Sequence, residues 1–164
     1  MDVLRRGGVD VKTVSVTGSE MVSTSHGVTV KADMLFEDAD FSDADLLMLP
    51  GGMPGSATLD MHEGLHTVLA AHNSAGKLIG AICAAPMVLG RMGLLKARRA
   101  TCYPGFDKYL EGAEYTSELV TVDGNIVTGK GPAATLPYAY RLLEMLEGAE
   151  KSREVAEGMG FFWR

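Results

Sequence analysis

Cys83 is the residue in this chain best placed to do covalent chemistry. Leu78 to Ile82 form a short apolar run that suits a strand buried on both faces. Gly80-Ala81-Ile82-Cys83-Ala84-Ala85-Pro86 then sets the cysteine where that strand turns into a helix. Pro86 falls in the first turn, where its missing N–H costs nothing. Met87, Val88 and Met92 supply an inward face, and Gly93 follows as a stop. A nucleophile on a tight strand-to-helix turn has the geometry of a nucleophile elbow. Small neighbours permit the sharp bend, and the N–H groups of a helix start favour a thiolate. The competing reading is a lone buried cysteine acting as a small hydrophobe.

The other reactive side chains form no second centre. Cys83 and Cys102 make neither a C-x-x-C pair nor a disulfide framework. His26, His62, His66 and His72 have no metal-ligand spacing, so neither a metal nor another cofactor is expected. The 164 residues are 46% hydrophobic and 22% charged, the composition of one globular domain with a sizeable core. A net charge of −6 with only 15 Lys and Arg argues against nucleic acid as a partner. No apolar run approaches the roughly 18 residues of a membrane span, and no signal-like start is seen. A reduced, cytoplasmic setting is the expectation.

These residues need elements to position them. Met1 to Arg6 reads as the end of a helix stopped by Gly7-Gly8, and Val9 to Val16 alternates as a strand. Met21-Val22-Ser23 and Val28-Thr29-Val30 flank a hairpin tip at Thr24-Ser25-His26-Gly27. The acidic stretch from Phe36 to Asp45 reads as loop or brief helix. Leu46 to Leu49 is a second buried strand, halted by Pro50-Gly51-Gly52-Met53-Pro54-Gly55 at the end where open α/β sheets build their sites.

Asp60-x-x-Glu63 has the capping-box pattern and predicts a helix to about Ala75, with Gly76 as its stop. The histidines on it carry no expected catalytic role. Leu94 to Arg99 reads as a basic surface connection, and Ala100-Thr101-Cys102 as a short strand. Leu119–Val122 and Ile126–Thr128, joined by Asp123-Gly124-Asn125, give the clearest hairpin signal. A long helix follows to Glu147. It starts either at Pro132 or at Thr135, and the later start spares Pro137 a place in the second turn. Lys151 to Gly158 is a last short helix. Phe161-Phe162-Trp163 is an aromatic tail expected to pack on its own surface or on a second subunit. The pattern is an α/β sandwich.

Three segments in order, Leu49-Pro50-Gly51-Gly52, Ala81-Ile82-Cys83-Ala84-Ala85-Pro86 and Thr128-Gly129-Lys130-Gly131-Pro132-Ala133-Ala134-Thr135, resemble the ThiJ/PfpI family and its deglycase-like branch. The resemblance runs over essentially the whole chain. It implies a flavodoxin-like three-layer sandwich with a mostly parallel central sheet, as in class I glutamine amidotransferases, and usually a homodimer. It also implies Cys83 as nucleophile, with the backbone N–H groups of Gly52 and Ala84 turned to an oxyanion. Gly51, Tyr103, Lys130, Gly131 and Pro132 would surround them. Tyr103 stands before Pro104 where some members carry a histidine, and with a phenol pKa near ~10 it is a poor base. The resemblance further implies a single domain over residues 1–164 that begins after a central strand and a glutamate hydrogen-bonded to the cysteine. The expected result is either an inward collapse of the Val9–Val16 strand or an unpaired strand edge.

Two functions follow from the resemblance. In one, Cys83 adds to the aldehyde carbon of a methylglyoxal-type 2-oxoaldehyde, as in glyoxalases and deglycases, with turnover impaired where the acid/base glutamate is wanting. In the other, the chain is a stress-responsive or chaperone protein whose Cys83 is an oxidation sensor without turnover. Amide hydrolysis is a weaker third option, since it needs a histidine beside the cysteine.

Overall fold

The computed structural model describes residues 1–161. In chain order the elements are α1 (Asp2–Arg6), β1 (Val14–Ser15), β2 (Met21–Ser23), β3 (Thr29–Lys31), β4 (Met34–Leu35), β5 (Leu46–Leu49), α2 (Gly55–Asp60), α3 (Glu63–Ser74), β6 (Leu78–Ile82), α4 (Pro86–Arg91), β7 (Arg99–Ala100), β8 (Glu114–Tyr115), β9 (Val120–Asp123), β10 (Ile126–Gly129), α5 (Thr135–Glu147) and α6 (Ala149–Gly158).

The two apolar runs at Leu46 and Leu78 are adjacent parallel strands, with Leu46 opposite Leu78 and Leu49 opposite Ala81. The main sheet has the order β5-β6-β10-β9. β10 runs parallel to β6 and antiparallel to β9, its hairpin partner. The hairpin turn is tied to the start of β6: Asn125 Nδ2 donates to Lys77 O (2.9 Å) and the Ile79 N–H to Asn125 O (2.9 Å). Both faces of the sheet are covered, giving the three-layer α/β sandwich that the sequence implied. On one side Leu47, Leu49, Ile79 and Ala81 pack under Leu65 and Leu69 of α3 and Met87 to Leu89 of α4. On the other, Leu46, Met48, Ile82 and Val127 pack under Val3 and Leu4 of α1, Tyr138 and Leu142 of α5, and Val155 of α6. Burying a Leu or Ile side chain in such a layer contributes about 1.5–3 kcal/mol.

Several local expectations need correction. Val9–Val16 is not one strand. Only Val14–Ser15 pairs, in parallel with Met34–Leu35. The backbone before it is bound by side chains instead of a ladder. Asp33 Oδ2 accepts from the Thr13 N–H (2.7 Å) and hydroxyl (2.8 Å), and Arg5 donates to Val11 O (2.6 Å). Val9 and Val11 still pack on the second core. Among the described residues β1 has no ladder with β5 or β6, and β5 is paired on one edge only. The unpaired edge is therefore the arrangement found, and the inward collapse is not.

Asp60 does not cap α3. It closes α2, and its carboxylate pairs with Arg91 instead. The cap is His62, whose Nδ1 accepts from the Leu65 N–H (3.0 Å). The long helix α5 starts at Thr135, after a 3₁₀ turn at Pro132–Ala134, which puts Pro137 in its first turn. The last helix begins at Ala149, two residues early, because Gly148 at φ +90° breaks the chain direction. The short strand expected at Ala100-Thr101-Cys102 is Arg99–Ala100, and Leu95 in the preceding connection is fully buried. Phe161 packs on the chain's own surface, its ring 5.0 Å from that of Tyr140. Phe162 and Trp163 lie outside the described residues.

His72 on α3 is buried, with its Nε2 2.9 Å from Leu78 O at the start of β6. Burial lowers its pKa from 6.5, and the Leu78 carbonyl only partly opposes that. The neutral ring is the folded form. A base whose folded pKa is depressed contributes stability that is whole above its unfolded pKa and is lost as pH falls through the folded value. We therefore expect thermal stability to fall as pH drops below about 6.5. In His72→Gln, melting temperature measured from pH 7.5 to 5 should show a shallower decline over that range.

Candidate functional site

β6 delivers Cys83 to the end of the sheet, and the backbone turns there with Cys83 at φ +65°. Residues other than glycine rarely adopt this left-handed conformation, which costs of order 1–3 kcal/mol. Two main-chain bonds hold it. The Cys83 N–H donates to Gly129 O (2.8 Å), and the Tyr103 N–H donates to Cys83 O (2.8 Å). The first comes from β10 and the second from the segment that follows β7. The strained turn is thus held by two segments that meet on the β10 side of β6.

The loop after β5 brings the Gly/Pro-dense turn against the thiol. A Cβ placed on Gly51 would overlap Cys83 Cβ, stand 2.6 Å from Ile82 O and 3.2 Å from Cys83 Sγ. Only glycine allows this approach. Gly52 has φ +94°, and its carbonyl accepts from the Ser56 N–H (2.8 Å), so the start of α2 fixes its orientation.

Most N–H groups at the head of α4 are already engaged. Ala85 N–H donates to Ile82 O (3.1 Å), Met87 N–H to Ala84 O (3.1 Å) and Val88 N–H to Ala85 O (3.0 Å). The helix itself spans six residues. The expectation that unpaired N–H groups of the helix start face the sulfur is therefore not met at Ala85, Met87 and Val88. Ala84 N–H, like Gly52 N–H, has no acceptor among the described residues. These two donors bracket the cysteine in the chain and across the neighbouring loop.

The remaining expected residues divide. Tyr103 is 46% exposed at the rim, and its ring packs over Gly131, where a Cβ would stand 3.2 Å from Cδ2. Phe106 meets that ring edge-on at 6.5 Å. Pro132 opens the 3₁₀ turn beside Gly131. Lys130 is drawn elsewhere: its Nζ donates to Ser117 O and Ser117 Oγ, both at 2.9 Å. Its ammonium braces the loop before β9. No side chain among the described residues hydrogen-bonds the Cys83 thiol, and no cluster that could hold a metal is found among them. Sequence reasoning did not single out Ser25, although its hydroxyl lies 3.6 Å from where a Cβ on Gly52 would stand. Only the hairpin signal around it was readable.

The two cysteines differ sharply. Cys83 is half-buried and Cys102 fully buried. Burial, with the nearby Asp107 and Cys83, pushes the Cys102 thiol up to about 12. Pulse alkylation with iodoacetamide at pH 7 to 9, read by mass spectrometry, should label Cys83 at least tenfold faster, since the thiolate is the reacting form. Equal labelling would remove the chemical distinction between them. A second expectation concerns Gly51. Gly51→Ala forces a methyl group onto Ile82 O and the cysteine, so it should slow Cys83 alkylation and lower the melting temperature by several degrees. Gly55→Ala, which meets open space, should do neither.

Comparison with known proteins places this geometry. A model of the DJ-1/PfpI family matches residues 1–145. Protein DJ-1 homolog B of Arabidopsis thaliana is 42% identical over 158 residues, which are 95% of this chain but 36% of that protein. The chain therefore spans little more than a third of that plant relative. The Glutathione-independent glyoxalase DJR-1.2 of Caenorhabditis elegans is 35% identical over 156 residues, 94% of this chain and 82% of that protein. Among solved structures, oxidized Toxoplasma gondii DJ-1 superposes with a TM-score of 0.94 at 36% identity, covering 99% of this chain and 89% of that one. With the family model matched over residues 1–145 and a relative 35% identical over most of its length, the chain belongs to the DJ-1/PfpI family.

Proposed function

We propose that this protein is a cofactor-independent glyoxalase or deglycase in which Cys83 adds to 2-oxoaldehydes or their adducts. The observation that carries the reading is a half-buried thiol on a left-handed elbow, next to two unengaged main-chain donors at Gly52 and Ala84. A relative named for glyoxalase activity supports it. In the reaction, the sulfur bonds to the aldehyde carbon and the carbonyl electron pair moves to oxygen. The Gly52 and Ala84 N–H groups stabilise that oxyanion. A proton then leaves this carbon and returns at the neighbouring one, so the first is oxidised and the second reduced. The resulting 2-hydroxyacyl thioester is cleaved by water, freeing the 2-hydroxy acid and the thiol. We place the protein as a homodimer in the cytoplasm.

The weak point in this chemistry is the proton. No carboxylate among the described residues hydrogen-bonds the thiol, and a positioned acid–base group typically contributes about 10²–10⁴-fold. In this reading water carries it. We expect lactate release from methylglyoxal to be slower by about that factor than in relatives with such a group, and to vanish in Cys83→Ser. Release that persists in Cys83→Ser would overturn the proposal.

In a second reading, Cys83 is a redox-responsive thiol in a stress protein or chaperone. A peroxide would take it to the sulfenic acid without turnover of any aldehyde. The solved relative in oxidized form is consistent with this alternative. Mass spectrometry after graded peroxide, set beside the lactate assay, separates the two.

A further inference from the structure

We infer that the tip of the β2–β3 hairpin is a wall of the Cys83 site and that Ser25 contributes its hydroxyl as a substrate-binding group for the second carbonyl oxygen of a 1,2-dicarbonyl compound. The inference rests on the reading of Cys83 as a carbonyl-adding thiol. Gly51 and Gly52 form a two-residue bridge. On one side, a methyl group at Gly51 would stand 3.2 Å from Cys83 Sγ. On the other, a methyl group at Gly52 would stand 3.6 Å from Ser25 Oγ. The thiol and the hydroxyl are therefore side-chain groups that a methyl at one or the other of two successive residues would meet, and the unengaged N–H belongs to the second of them, Gly52.

The tip is set by its own backbone, and Ser25 is not needed to hold it. Thr24 N–H donates to Val28 O (2.8 Å), Gly27 N–H donates to Thr24 O (3.2 Å), and Gly27 takes φ +74°. Ser25 Oγ makes no hydrogen bond within the described residues and is exposed. Its hydroxyl is left for a ligand. The stereochemistry of the proposed substrate asks for such a group. In a 2-oxoaldehyde the two oxygens lie on adjacent carbons. When sulfur bonds to the aldehyde carbon, that oxygen takes the electron pair and then a proton from water, and the ketone oxygen remains an acceptor beside it. Main-chain N–H groups serve the first oxygen and a neutral O–H donor suits the second. Ser25 thus favours dicarbonyls over simple aldehydes.

The test uses reversible protection. Methylglyoxal and propanal, one with two carbonyls and one with a single carbonyl, are each titrated against iodoacetamide labelling of Cys83 in the full chain. Ser25→Ala should weaken protection by methylglyoxal about two- to tenfold and leave protection by propanal and the unprotected labelling rate unchanged. Ser25→Thr, which keeps the hydroxyl, should restore it. Equal shifts for both aldehydes, no shift, or no rescue by threonine would overturn the inference, as would a wild-type thiol protected by neither. Protection that follows this pattern without lactate release would overturn the turnover reading alone and leave the role of Ser25 standing.

Discussion

The structure depends on a strained residue held by main-chain hydrogen bonds. Cys83 occupies a left-handed conformation that costs a non-glycine residue of order 1–3 kcal/mol, and the Gly129 carbonyl and the Tyr103 N–H help to hold it there. Each of these partners needs its own support. Gly129 ends β10, which is locked between β6 and β9. Tyr103 follows Thr101, whose N–H donates to Thr128 Oγ1 (2.9 Å) and whose hydroxyl donates to Glu118 O (2.8 Å). The buried threonines at 101, 121 and 128 are thus not stray polar residues in a core. They carry the hydrogen bonds that let two segments far apart in sequence converge on one turn.

The same economy of space governs the faces of the sheet. Gly80 lies under the Tyr138 hydroxyl and Gly129 under its ring, so α5 descends onto β6 and β10 where any side chain would hold it off. Gly90 does the same for α4, whose backbone is met by the carbonyl of Tyr109. The layers sit close because glycines were placed at the crossing points, and the elbow inherits its position from that spacing. On the β5 side the sheet is less complete: the backbone edge of Leu46–Leu49 that faces away from β6 has no ladder among the described residues.

Much of this was legible in the residues. The buried strands at Leu46 and Leu78, the 120–129 hairpin and the strand-to-helix turn at Cys83 are all written in local patterns, because each is decided by short-range periodicity or by turn chemistry. Two of the misreadings share one cause. At Val9–Val16 and at Asp60 the deciding partner is remote: Asp33 for Thr13 and Arg91 for Asp60. A single side chain offers the same donors or acceptors to a local cap, a ladder or a distant loop, and sequence spacing sees only the local choice. The contact of Ser25 with Gly52 was invisible for the same reason.

One consequence follows from the donors beside the thiol being peptide groups. The N–H groups of Gly52 and Ala84 carry no titratable proton and no rotamer, so the polar character of this corner is constant across pH and ordered before anything arrives. Replacing the Ala84 side chain leaves its donor in place, since the N–H belongs to the chain itself. Such a corner offers the same two donors whatever side chains surround it. Under the proposed function, discrimination between one carbonyl compound and another falls to the side chains around the thiol and not to these two groups.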